Sequence, residues 1–155
     1  ETLVGNAIGA RDDSQAIAFG RRCMLWGTGI GVLFGLGYGI GVEAIAGVFT
    51  DHDTVVTQVA CLGLLLSVVQ PVSGAVYILD GILIGANDTR FLFWAMAAGA
   101  FLIYLPVVWG LTQIYAFGLA GVWLAYNGLM LSRFGILGIR FLKGGWLPGH
   151  SGHFT

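Results

Sequence analysis

Residues 23–42, CMLWGTGIGVLFGLGYGIGV, run for twenty positions without a charged side chain. A helix rising about 1.5 Å per residue needs roughly that length to cross a hydrocarbon core about 30 Å thick. Within the stretch Gly27, Gly31, Gly35 and Gly39 recur at every fourth position, with Gly29, Gly37 and Gly41 between them. Gly-x-Gly patterns also mark dinucleotide-binding loops, but such a loop follows a strand of a soluble sheet and is trailed by an acidic residue. Neither is present. In lipid, small residues at a period of four let a second helix approach closely or slide, so Gly27, Gly31, Gly35 and Gly39 are expected to pack against another helix.

Three further apolar stretches flank this one on its C-terminal side. Residues 56–86 are interrupted by Pro71 and carry one charge, Asp80; residues 91–111 are uncharged, with Pro106 near the end; residues 118–141 hold Arg133 and Arg140 towards their end. Backbone groups in lipid must pair within their own segment, so all four are expected to be helices. The ten-residue alternation of a membrane β-barrel is missing. Composition agrees: 57% of the chain is hydrophobic and 10% charged, against about 25% charged in soluble domains. The fold class expected is an all-α integral membrane protein of about four transmembrane helices. A net charge of −1 gives no reason to expect a nucleic-acid partner. Cys23 and Cys61 lie in or beside apolar stretches and read as small apolar residues, not as a disulfide framework or metal ligands.

Charge in the connections predicts orientation. Arg11, Arg21 and Arg22 precede the first span, Arg90 joins the second to the third, and Arg140 and Lys143 close the fourth. The connection after the first span carries Glu43, Asp51, His52 and Asp53 without a Lys or Arg, and residues 112–117 carry no charge. The basic residues outside the spans therefore share one side, the cytoplasmic one by the positive-inside rule. An even number of spans returns the chain to that side. The opening residues Glu1 to Gly9 show neither a basic start nor a cleavage site and read as the end of a helix whose beginning is missing, making the chain a fragment.

Candidate polar groups cluster on the second span. Gln70, Ser73, Tyr77 and Asp80 are spaced 3, 4 and 3 and so share one helical face. Pro71 removes an amide donor and frees the carbonyl of Ser67, so a kink is expected there. A carboxylate inside a span costs about 2.5–3.5 kcal/mol on insertion scales and usually faces a cavity or partner. Asp80 has two readings, one in transport and one structural, pairing with Arg90 or capping backbone groups. Tyr126 and Asn127 interrupt the fourth span and are weaker candidates for the same cavity; for Asn127 an interhelical hydrogen bond is the plainer expectation. Asn87-Asp88-Thr89 matches a glycosylation acceptor but falls in a short loop on the cytoplasmic side. His150 and His153 lie in a Gly-rich tail (142–155) and read as a terminus, not a metal site. No nucleophile with its base, zinc ligand set or phosphate loop stands out, so no enzyme is expected.

Several segments resemble multidrug and toxic compound extrusion (MATE) transporters. Leu3-Val4-Gly5-Asn6-Ala7-Ile8-Gly9-Ala10-Arg11-Asp12 is similar to the segment that closes one of their helices, and Val48-Phe49-Thr50-Asp51 to the element after the next. Leu79-Asp80-Gly81-Ile82-Leu83-Ile84-Gly85-Ala86-Asn87-Asp88-Thr89-Arg90 resembles the signature of the DinF-like branch, and Gly118-Leu119-Ala120-Gly121-Val122-Trp123 the start of the last helix. The resemblance implies that residues 1–155 form part of the C-terminal lobe of a twelve-helix transporter. Residues 1–12 would end helix eight, and the four spans would be helices nine to twelve.

It further implies a secondary antiporter of the bacterial cytoplasmic membrane, with a cytoplasmic C-terminus. Such a protein exports cationic or amphipathic drugs and toxic compounds on inward Na+ or H+ flow. The partners implied are the lipid bilayer, a missing N-terminal lobe and small organic cations. No cofactor is implied beyond the coupling ion. The coupling carboxylate of the DinF-like branch lies on its first helix, outside these residues, and other branches place one where this chain has Ser73. Alternatives are a flippase for lipid-linked precursors, disfavoured because no basic residue is evident in the cavity, and a non-transporting membrane assembly subunit.

Overall fold

The structure, a computed structural model, describes residues 1–50, 52–114 and 117–147; Asp51, His150 and His153 lie outside the described residues. It is nearly all helical. α1 (Thr2–Gly9) is followed by α2 (Asp13–Phe49), α3 (Asp53–Gly85), α4 (Thr89–Ala98), α5 (Leu105–Trp109) and α6 (Gly118–Leu142). Four helical runs are long and apolar enough to cross a membrane: Asp13–Phe49, Asp53–Gly85, Thr89–Ile114 and Gly118–Leu142. The expected spans fall inside these runs except for Ala86, which caps the second.

The first run overshoots its apolar stretch at both ends. At 37 residues, α2 is about 55 Å long, well beyond a hydrocarbon core. It starts at Asp13 because Asp12 caps it: the carboxylate accepts from the Gln15 amide at 2.9 Å and from the Ser14 hydroxyl at 2.6 Å. Those two bonds, the hydroxyl first, hold the Asp12 carboxyl below the usual carboxylate range. Arg21 and Arg22, expected in a connection, therefore sit on exposed turns of α2 itself.

Two turns in the chain are built alike. In Gly9-Ala10-Arg11-Asp12 and in Gly85-Ala86-Asn87-Asp88 the third residue takes a positive φ, 57° at Arg11 and 60° at Asn87. The backbone bonds repeat as well: Asp12 N to Ala7 O at 3.0 Å and Asp88 N to Leu83 O at 2.9 Å. The second turn lies against α1, since a β-carbon on Gly5 would lie 3.1 Å from the carbonyl oxygen of Gly85. Arg140 joins the same end of the molecule. Its Nε donates to Asp88 at 2.9 Å, and its guanidinium carbon sits 4.7 Å from the centre of the Phe91 ring. Beyond Lys143 the chain folds back, and Trp146 stacks on Phe141 at 5.6 Å and donates its indole N–H to the Phe141 carbonyl at 3.1 Å. The connections that carry Arg11, Arg90, Arg140 and Lys143 thus gather at one end.

The third run departs from the uniform helix expected over 91–111. Residues Gly99–Tyr104 and Gly110–Ile114 wind as wide π turns on either side of α5. Pro106, at the start of α5, lacks an N–H and its ring crowds the preceding turn, so the ladder widens rather than continuing in α register. By contrast Pro71 lies inside an α3 that stays helical from Asp53 to Gly85.

The buried core is small and lies towards the basic end, with Val4, Val76, Leu79, Ile82, Leu83 and Leu137 nearly inaccessible. Most large apolar side chains face outward, among them Trp26 at 73%, Leu33 at 69% and Ile40 at 86% exposure. That distribution fits a lipid solvent, in which apolar exposure costs nothing and helices associate by close packing and polar contacts.

Candidate functional site

α3 carries two different faces. One meets α2 backbone to backbone. A β-carbon at Gly31 would come within 2.6 Å of the Gln70 carbonyl oxygen and 2.8 Å of the Pro71 α-carbon. At Gly35 it would overlap the carbonyl oxygen of Ser67, the group that Pro71 leaves without an amide partner; at Gly27 it would overlap Ile78. Gly74 of α3 answers from the other side, where a β-carbon would come 2.5 Å from the Gly27 carbonyl oxygen. Gly39 stands further off, 3.5 Å from the Ser67 hydroxyl, while Gly29 and Gly37 face open space.

The second face of α3 looks towards α6 and bounds a pocket of about 510 Å³. Gln70, Ser73 and Tyr77 line it from α3, and Trp123, Tyr126 and Asn127 from α6. Tyr38 of α2 and Tyr104, the last residue of the first π segment, complete an aromatic wall. Trp123 and Tyr126 meet edge to face at 6.0 Å. Five of the six cavity candidates named from sequence thus come together. Tyr38, Tyr104 and Trp123 were missed; each is an amphipathic aromatic in an otherwise apolar span, a signal present in the sequence and passed over.

Asp80, the sixth candidate, does not line the pocket. It pairs with neither of the groups expected of it. Arg90 is exposed at the start of α4, beyond the turn that ends α3, whereas Arg133 of α6 lies directly opposite Asp80. Its Nη2 donates to both carboxylate oxygens, at 2.7 and 2.9 Å.

Asn127 corrects the sequence reading in a second way. It is 5% exposed, and neither its amide nitrogen nor its amide oxygen has a partner among the described residues. The polar groups of α3 that share the pocket wall do not bond to it, so the interhelical hydrogen bond expected of it is not formed among the described residues. Cys23 and Cys61 are both free, and no group of three or more His, Cys, Asp or Glu side chains converges among the described residues.

The family model described as MatE matches residues 1–110. The chain belongs to the MatE family. MatE proteins are membrane transporters rather than enzymes, and the four spanning helices place this one in a bilayer as a multi-pass protein. No curated protein and no solved structure matches the chain. The matched residues cover the glycine seam, Gln70, Ser73, Tyr77, Asp80 and Tyr104; α6, with Trp123, Tyr126, Asn127 and Arg133, lies beyond the match.

Proposed function

We propose that the chain supplies helices nine to twelve of a DinF-like MATE antiporter. It would be the C-terminal lobe of a protein that exports cationic or amphipathic compounds on inward Na+ or H+ flow, with its basic end in the cytoplasm of a bacterium. The observation that carries this reading is the pocket between α3 and α6. Helices that are apolar elsewhere converge there to offer five aromatic rings and the side chains of Gln70, Ser73 and Asn127. Pockets that bind small molecules are of this kind, largely apolar with a few fixed polar groups, and aromatic faces attract organic cations. A helix bundle serving only as a scaffold gains nothing from such a hollow, since close packing is what holds membrane helices together.

The test is flux. The intact transporter in proteoliposomes is expected to move ethidium against its gradient when an inward Na+ or H+ gradient is imposed, and to stop when the gradient is collapsed. Ethidium movement indifferent to both ions would overturn the antiport reading. Replacing Tyr77 with Ala in the same assay is expected to lower the rate at least about tenfold, as removal of a packed aromatic contact does at a binding site.

A further inference from the structure

Asp80 of α3 and Arg133 of α6 form an ion pair just outside the pocket. Their side chains are 13% and 11% exposed. The Arg133 Nε is buried without a partner among the described residues, so Asp80 is the group that holds the guanidinium. Asp80 lies one helical turn beyond Tyr77 on α3, and Arg133 two turns beyond Tyr126 on α6; both tyrosines are pocket walls. The pocket itself carries no ionised side chain among the described residues, only aromatic, amide, hydroxyl and aliphatic ones. In a medium of low dielectric a full charge one or two turns away is felt strongly in such a pocket, unless a counter-charge cancels it.

We infer that Arg133 sets the electrostatic character of the pocket. Cancelled by Asp80, it leaves the pocket neutral and open to a cation. An ion captured by Asp80, a proton or a sodium ion, leaves the guanidinium uncompensated and turns the adjoining floor positive. Arg133 is then a positioning residue that touches no ligand, and the inference rests on the transport reading above. An arginine side chain stays protonated, so Asp80 is the member of the pair whose charge changes. Among the described residues Arg133 is the charged group that faces Asp80. Tyr77 precedes Asp80 on its own helix and Tyr126 faces from α6, while α1, α2 and α4 bring no charged side chain into an ion pair with it.

Ethidium, a planar aromatic cation, is the probe, and its binding to the intact transporter in nanodiscs is read by fluorescence. Asp80→Asn leaves a lone guanidinium and is expected to weaken binding about tenfold, and Arg133→Gln leaves a lone carboxylate and is expected to tighten it about tenfold. The double variant is expected to return to within about threefold of wild type, by the same cancellation. Opposite signs separate a charge effect from a folding defect, which weakens binding in both. The inference is overturned if both single variants weaken binding, or if the double variant stays with Asp80→Asn. If Asp80→Asn does not fold, Arg133→Gln and the charge-preserving Arg133→Lys decide: tightening in the first and wild-type binding in the second support the inference, any other pair overturns it. A wild-type protein that neither binds nor moves ethidium removes the transport reading and the inference together; wild-type binding with single variants of like sign removes the inference alone.

Discussion

The two faces of α3 solve the problem of helix association in opposite ways. Towards α2 the contact is made of glycine and main chain, with Gly27, Gly31 and Gly35 on one helix and Gly74 on the other. Side chains enter where Ile78 and Val42 cover Gly27 and Gly63 and where Ser67 approaches Gly39. Towards α6 the contact is made of side chains, some of them polar, and it encloses space. The seam is held by close approach of main chain, the second face by apolar side chains such as Leu79 and Leu137 beside the Asp80–Arg133 pair. Two contacts on one helix can therefore differ in what they permit: the first tolerates no added atom, and the second is hollow and holds an amide without partners.

The comparison can be broken most forcefully at the seam. Gly31→Leu drives a side chain into the Gln70 carbonyl and the Pro71 α-carbon, backbone that cannot give way, and is expected to cost about 3 kcal/mol or more. Gly29→Leu, two positions away and facing open space, is expected to stay within about 0.5 kcal/mol of wild type. Unfolding of both variants in micelles checks the pair; equal losses would show that the period of four carries no packing meaning. On the other face, Asn127→Leu removes two buried amide atoms that have no partner among the described residues, and is expected to stabilise the chain by about 1 kcal/mol. A loss of stability would mean that the amide finds a partner, from water or from a ligand. The smallest effect is expected where α2 begins. Asp12→Ala removes the cap, and the Asp12 carboxyl is held below its ordinary value in the folded chain. A depressed carboxyl contributes stability above its unfolded pKa and loses it as pH falls through the folded one. The difference in melting temperature between Asp12→Ala and wild type should therefore be present at neutral pH and vanish in strong acid.

Much of this was legible in the sequence, and for a physical reason. Lipid leaves a spanning backbone only helix or closed barrel, so long apolar runs without strand alternation pointed to four helical spans, and the spacing of Gln70, Ser73 and Tyr77 placed them on one face. What was not legible depended on a partner distant in the chain. Asp80 was matched with Arg90 because ten residues separate them; Arg133, 53 residues away, becomes its neighbour only once α3 and α6 pack side by side. Asn127 was granted a hydrogen bond on the general habit of buried amides, and no periodicity reveals that its neighbours fall short. The helical extension of α2 back to Asp13 was hidden because polar residues such as Arg21 and Arg22 look like a connection, although the cap at Asp12 was written in the sequence. The repeated Ile-Gly-Ala-x-Asp of residues 8–12 and 84–88 was visible too. Its meaning, two turns of the same backbone shape, required the fold.

A joint made of main chain has no rotamers to exchange. Where Gly31, Gly35 and Gly74 meet the facing backbone, repacking by side-chain rearrangement is unavailable, and any separation would have to open a gap that lipid tails are too thick to fill. The hairpin of α2 and α3 therefore travels as a single plank. Whatever swings or tilts within this half of the molecule must do so across the boundary with α6 and the widened turns around Pro106.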